Sequence, residues 1–160
     1  MADISFCELT VASVTPETDE AVCIGFAVPD SLRDQFRYAP GQYLTLQMEI
    51  DGEDVRRSYS ICSGINDPEI RIAIKRVTGG VFSNFANDTI RVGDVVRVIA
   101  PQGSFGASLD PVNAKKYLFI AAGSGITPVI SIIKTTLAVE PHSAFTLVYG
   151  NRETRSIIFR

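Results

Sequence analysis

Four short stretches carry residue types that could do chemistry. Arg57, Ser58, Tyr59 and Ser60 lie in a strand-like segment, where a spacing of two puts Arg57 and Tyr59 on one face. A guanidinium beside an aromatic plane suits a flat ring ligand that bears phosphate. A cross-strand packed tyrosine beside a surface arginine would look the same. Gly79-Gly80-Val81-Phe82-Ser83-Asn84 follows a strand and opens a short helix. There two glycines let the backbone approach closely, and free N–H groups attract an anion. A plain turn with an N-cap serine accounts for that stretch equally well. Gly123-Ser124-Gly125-Ile126-Thr127-Pro128 joins a buried strand to a helix, the place where α/β sheets hold pyrophosphates, although it is not the G-x-G-x-x-G fingerprint. Asn151-Arg152 and Arg155 follow the next strand, where arginine favours a 2′-phosphate and an acidic residue favours its absence; solvated surface charge explains them as well.

The elements that must position these residues change character along the chain. Residues 5–14, 20–28, 42–50, 55–62, 69–77 and 94–100 read as short strands rich in Val, Ile, Tyr and Thr, separated by Pro16, Pro29, Pro40-Gly41, Asn66-Asp67-Pro68 and Gly93. Asp51-Gly52 between two of them is a hairpin signal. With one brief helix over 82–87, six strands predict a small antiparallel barrel. After Pro111 a near-continuous apolar strand over 116–122, of the kind buried on both faces, is followed by a glycine turn, a helix over 128–139 with Pro128 at its first position, and a strand over 144–149. That is a βαβ unit. The fold class expected is an all-β six-stranded antiparallel Greek-key barrel over 1–106, a linker over 107–114, and the start (βαβ) of an α/β nucleotide-binding domain over 115–160.

Composition removes other chemistries. The chain has 160 residues, 15 Lys+Arg against 18 Asp+Glu, and a formal charge of −3, with no basic run to meet nucleic acid or an anionic membrane. One histidine, His142, rules out multi-histidine metal sites and leaves one base for any triad. Cys7, Cys23 and Cys62 lack zinc or iron–sulfur spacing and read as reduced core thiols of a cytoplasmic protein. No metal site is expected. Seventeen uncharged residues lie between Lys116 and Lys134, but glycines, Thr127 and Pro128 interrupt them, so no membrane span is expected.

The order of the pieces, RRSYS, IKRVTGGVFSN, PQGSF, FIAAGSGITP and TLVYGNR, resembles the ferredoxin–NADP reductase superfamily, and within it the phthalate- and benzoate-type oxygenase reductases. The resemblance runs over essentially the whole chain. It implies a flavoprotein with FAD in the barrel, Arg57 on the flavin pyrophosphate, Tyr59 stacked on the ring system and Ser60 near its reactive nitrogen. Ile74 and Lys75 would flank the adenosine part, and Gly80, Val81, Phe82 and Ser83 would hold the diphosphate. NADPH or NADH would cross Gly123, Ser124, Gly125, Thr127 and Pro128, with Thr127 near hydride transfer and Arg152 beyond. Tyr59, Ser60 and Thr127 would thus be the catalytic residues.

Members of that family continue through a full nucleotide domain and a 2Fe-2S domain that passes electrons to an oxygenase component, here of the kind that epoxidises phenylacetyl-CoA. With a two-strand second unit, and TRSIIFR reading as the opening turns of a cut-off helix, the chain is expected to be a fragment. Two alternatives to a turning-over reductase arise: a non-catalytic FAD- or nucleotide-binding module, and self-association through strands left without neighbours.

Overall fold

The hairpin signal at Asp51-Gly52 is realised in backbone geometry: both residues have positive φ (54° and 81°), the twist that joins two strands through a two-residue loop. The computed structural model describes residues 5–106 and 108–160. Six antiparallel strands form one sheet: β1 (Phe6–Thr18), β2 (Ala21–Ala27), β3 (Tyr43–Ile50), β4 (Glu53–Ser60), β5 (Ile70–Lys75) and β6 (Val95–Gln102), in the order β4-β3-β6-β1-β2-β5. Chain neighbours β2 and β3 are far apart in that order, as are β5 and β6, as a Greek-key arrangement requires. The two ends of the sheet meet where Ile61 bridges Ile72 and the Cys62 N–H donates to the Arg71 carbonyl at 2.8 Å, so the sheet closes into a barrel. Inside lie Leu9, Ile24, Phe26, Leu44, Leu46 and Val98, almost wholly buried.

One strand detail departs from expectation. Pro16 does not end β1, which runs on to Thr18. Pairing with β6 ends at Thr10, so the proline's missing N–H falls on an edge without a partner. The short helix α1 (Val81–Asp88) forms where one was expected, with Phe82 and Ala86 in the barrel core.

The second unit is β7 (Lys116–Ala122), α2 (Ile126–Val139) and β8 (Ala144–Gly150), with β7 and β8 parallel. A 3-10 turn over Gly123–Gly125 leads directly into α2, so Pro128 is its third residue and not its first. Strand β7 is not buried on both faces: Leu118 and Ile120 are 65% and 76% exposed, and α2 covers only the side of Phe119 and Ala121. TRSIIFR forms no helix either. Only Thr154–Ser156 makes a 3-10 turn, and Ile158 is drawn, fully buried, into the seam between the units.

That seam is a second apolar cluster. Cys23, Cys62 and Ala73 of the barrel pack with Ala121, Ile126, Val129 and Ile158 of the βαβ unit. Polar bonds fix its register: Ser131 Oγ donates to the Ser63 carbonyl at 2.6 Å, the Ile65 N–H donates to Thr135 Oγ1, and Lys134 pairs with Asp67 at 3.0 Å. Cys7, Cys23 and Cys62 are all free thiols. Among the described residues no helix is long and apolar enough to cross a membrane, and no cluster of side chains could hold a metal ion.

The connector ahead of β7, of which Ala107 lies outside the described residues, is held by one carboxylate. Glu140, fully buried at the end of α2, accepts from Asn113 Nδ2 (2.7 Å), Ser143 Oγ (2.7 Å), the Tyr117 hydroxyl (2.9 Å) and the Asp110 N–H (3.1 Å). Burial pushes its pKa up, but these four bonds outweigh it and bring the carboxyl down to about 2. The folded value lies below the unfolded one of about 4.3. Its stabilisation is therefore complete above that pH and fades as the pH falls towards the folded value. Glu140→Gln should lower the urea midpoint near neutral pH, and the gap to wild type should narrow as the pH drops below about 4. A gap that stays constant under acid would refute this role.

Candidate functional site

Period-two alternation along β4 sets the first part of the site. Arg57 lies opposite Leu46 and Tyr59 opposite Leu44, so both point to the side of the sheet that carries the core leucines. Tyr59 is half-buried against Phe82 of α1, with ring centroids 5.7 Å apart and a tilt of 42°. Burial raises its phenol to about 12 against the opposing pull of the Arg57 charge, so the ring is neutral at any ordinary pH. Arg57 is exposed, with Nη1 on the Arg56 carbonyl at 2.6 Å. Ser60 sits across from Tyr43 and, one residue on from Tyr59, lies on the other side of the strand.

The turn from β5 into α1 forms the second part. Gly79 has φ +71°, and a Cβ there would meet nothing within 4 Å. At Gly80 a Cβ would strike Ser83 Oγ at 2.6 Å, so the turn itself demands glycine. Helix α1 has no side-chain cap, and the N–H groups of Val81, Phe82 and Ser83 have no hydrogen-bond partner among the described residues, although Phe82 and Ser83 are almost wholly buried. Three free donors converging at a helix start are what an anion requires. The Ser83 hydroxyl is already engaged, accepting the Val77 N–H at 3.1 Å, which leaves its backbone N–H as the free group. Ile74 cannot offer its side chain to a ligand: it is fully buried in the barrel core, and Asn87 holds its carbonyl at 3.1 Å.

A cleft of about 1100 Å³ separates the barrel from the βαβ unit. It brings together Lys75 and Arg76 from the end of β5, Gly123 and Ser124 from the turn after β7, and Asn151 and Arg152 after β8. The carboxyl ends of parallel strands are where open α/β sheets take ligands. The Thr127 hydroxyl donates to the Ser124 carbonyl at 3.0 Å and Tyr149 to the Gly123 carbonyl at 3.0 Å, which sets the shape of the turn. Thr127 is buried, and neither it, Gly125 nor Pro128 is among the residues that line the cleft. Gly125 has an ordinary φ of −62°, and a Cβ there would meet nothing within 4 Å, so nothing inside the chain explains a glycine at this position. Arg155 is paired with Glu153.

Sequence reasoning gave no role of their own to Arg76, Asn84, Asn87 and Asp88, which build the walls of the glycine turn. The available signal was their spacing, since positions 84, 87 and 88 share one face of a helix. With three free N–H groups, glycines that open outward and basic side chains at the cleft, the site fits a ligand with a diphosphate and extended rings.

Comparison with known proteins agrees with this chemistry. Residues 8–106 match the oxidoreductase FAD-binding domain family, and residues 119–160 match the oxidoreductase NAD-binding domain family. The chain is 51% identical over 156 residues to one of the subunits of 1,2-phenylacetyl-CoA epoxidase of Escherichia coli, covering 98% of this chain and 44% of that protein. It is 44% identical over 154 residues to the ferredoxin reductase component of 3-ketosteroid-9-alpha-monooxygenase of Rhodococcus rhodochrous, covering 94% and 42%. The chain thus spans less than half the length of these curated relatives. Among solved structures it resembles phthalate dioxygenase reductase (TM-score 0.77, 28% identity, 96% of this chain and 46% of that one). It also resembles the FAD/NAD-binding domain of nitric oxide dioxygenase from Vibrio cholerae (TM-score 0.78, 28% identity, 97% and 66%). The chain belongs to the oxidoreductase FAD-binding domain family, whose cofactor is FAD and whose adjoining domain takes a nicotinamide dinucleotide.

Proposed function

We propose that this chain is the FAD-binding part, with the opening of the NAD(P)-binding part, of a reductase that draws electrons from NADPH or NADH. In this reading residues 1–106 are the flavin barrel, 107–114 the linker and 115–160 the nucleotide unit. The reading rests above all on the three free N–H groups at the start of α1, set beside the Arg57 and Tyr59 face by the contact between Tyr59 and Phe82. FAD, when bound, supplies a ring that accepts an electron pair as hydride and releases electrons one at a time. The chain's own residues bind and orient. The N–H groups of Val81, Phe82 and Ser83, with Gly80 shaping the turn, take the diphosphate, and Arg57 offsets its charge. Tyr59 presents a neutral aromatic face, and Ser60 offers a hydroxyl one residue further along the strand. Lys75 borders the adenosine end, with the buried Ile74 behind it in β5. The Gly123–Gly125 turn, shaped by Thr127 and followed by Pro128, receives the nicotinamide nucleotide, and Arg152 stands where a 2′-phosphate would lie.

Two likenesses support the whole protein's role as the reductase of an aromatic-ring oxygenase system. The Escherichia coli relative is named for phenylacetyl-CoA epoxidation, and the phthalate dioxygenase reductase structure is described as modular, for electron transfer from pyridine nucleotides to [2Fe-2S]. A 2Fe-2S domain would then carry single electrons to the oxygenase in phenylacetate catabolism, in the cytoplasm. The second reading is flavin binding without turnover, with two chains paired through the second unit. The exposed face of Leu118, Ile120 and Val148 favours it. NADPH consumption with an artificial acceptor by monomeric protein would exclude it.

The deciding measurement is the visible spectrum of the chain after purification and after titration with FAD. Stoichiometric uptake is expected, and a chain that stays colourless and binds no added FAD would overturn the proposal. Arg57→Ala should weaken FAD binding by about 10- to 100-fold, the loss typical of a charge-assisted hydrogen bond, with the far-UV circular dichroism unchanged. Unaltered affinity would remove Arg57 from the site. Gly125→Ala should leave the melting temperature as it is or raise it slightly, since the new Cβ meets nothing. It should at the same time weaken binding of the nicotinamide dinucleotide. Equal binding by wild type and variant would show that the glycine serves no ligand.

A further inference from the structure

A helix leaves its first N–H groups unbonded, and at the start of α1 the carbonyls that lie beside those donors are held on the helix side. A turn of the shape 77–80 presents carbonyl oxygens as readily as N–H groups, and an oxygen facing a diphosphate repels it. Here the Gly80 N–H closes the turn on the Val77 carbonyl at 2.8 Å, and the Asn84 side chain braces both carbonyls. Its Nδ2 donates to the Gly80 carbonyl at 2.8 Å and to the Val77 carbonyl at 3.4 Å. The Gly80 carbonyl also takes the Asn84 backbone N–H at 3.2 Å and faces Ser83 Oγ at 3.4 Å, so its acceptor capacity is filled from the helix side. The other end of the Asn84 amide is held in turn: Oδ1 accepts from Arg76 Nη1 at 3.4 Å, and the same guanidinium grips Asp88 with both of its terminal nitrogens, Nη1 at 2.8 Å. One turn along, Asn87 Nδ2 ties the Ile74 carbonyl (3.1 Å) and the Ser83 carbonyl (2.8 Å).

Resting on the flavin-binding reading above, we infer that Asn84, oriented by the Arg76–Asp88 pair, is a positioning residue for the dinucleotide's diphosphate: it braces the Val77 and Gly80 carbonyls on the helix side, away from the ligand that the N–H groups of Val81, Phe82 and Ser83 face. Asn84 need not touch the cofactor. Its effect falls on the diphosphate and not on the ring system, because Tyr59 belongs to a different strand and none of the hydrogen bonds of Asn84 involves it. An asparagine is suited to the task because its amide donates two bonds and accepts on the opposite end without bringing a charge near the anion.

The test compares wild type with Asn84→Ala and with the isosteric Asn84→Asp, which keeps the shape but loses both donors. FAD dissociation constants come from flavin fluorescence, the ring environment from visible circular dichroism at saturating FAD, and the diphosphate environment from phosphorus NMR of the bound cofactor. The expected result is a rise of about tenfold in the dissociation constant for Asn84→Ala and a larger one for Asn84→Asp. The bound phosphorus resonances should shift while the visible dichroism keeps its wild-type form. Asp88→Asn, which loosens the grip on Arg76, should move the same two readouts in the same direction by less. An unchanged dissociation constant in both Asn84 variants overturns the inference. So does a visible dichroism that changes in step with affinity, since that marks a general loosening of the barrel. Wild-type protein that takes up no FAD would defeat the flavin-binding reading itself, whereas failure confined to the variants leaves that reading in place.

Discussion

Closure of the barrel between Ile61 and Ile72 is the constraint on which the remaining geometry depends. The bridge carries the end of β4 to the side of β5. Because α1 follows β5 by a tight turn, the closure sets Tyr59 against Phe82 and so places the strand's arginine and tyrosine beside the helix start. One residue beyond the bridge, Cys62 enters the seam under α2, and the loop after it supplies the polar bonds that register the second unit. An open sheet of the same six strands would keep every local motif and lose the site.

The two units meet through a mixture of forces with separate tasks. Apolar burial around Cys23, Cys62, Ala121 and Ile126 supplies attraction without direction. The Ser131, Thr135 and Lys134 contacts supply direction, since hydrogen bonds are sensitive to distance and angle. Gly64 allows this closeness: a Cβ there would lie 2.9 Å from that of Lys134. Glu140 works from the far end of α2, where a buried carboxylate satisfied by four donors ties the connector to the helix. The cleft therefore lies between units anchored on both sides, and its walls come from both.

Much of this was legible in the residues. The Asp51-Gly52 turn, the strand alternation that pairs Arg57 with Tyr59, the glycine turn before α1 and the βαβ grammar after Pro111 are all local patterns, and each forms as expected. The misreadings share one cause. Pro16 looked like a strand end because its lack of an N–H matters only if a neighbour is there to accept, and the sheet order provides none. Strand β7 looked doubly buried because its apolar run gives no sign of which face is covered.

The sequence alone determined the features that short-range sterics and periodicity dictate: where the chain turns, which residues alternate, and where a helix begins. It also carried a motif order specific enough to indicate the family. Only the tertiary structure decided which of these pieces meet. Tyr59 and Phe82, Glu140 and Asn113, and Cys23 and Cys62 are pairs separated by more than twenty residues. Their contact depends on barrel closure and docking, to which residues along the whole chain contribute. The same holds for the surroundings of α1's free donors: a helix start is a local event, but the side chain that braces the carbonyls beside it is itself held by Arg76, from the end of β5.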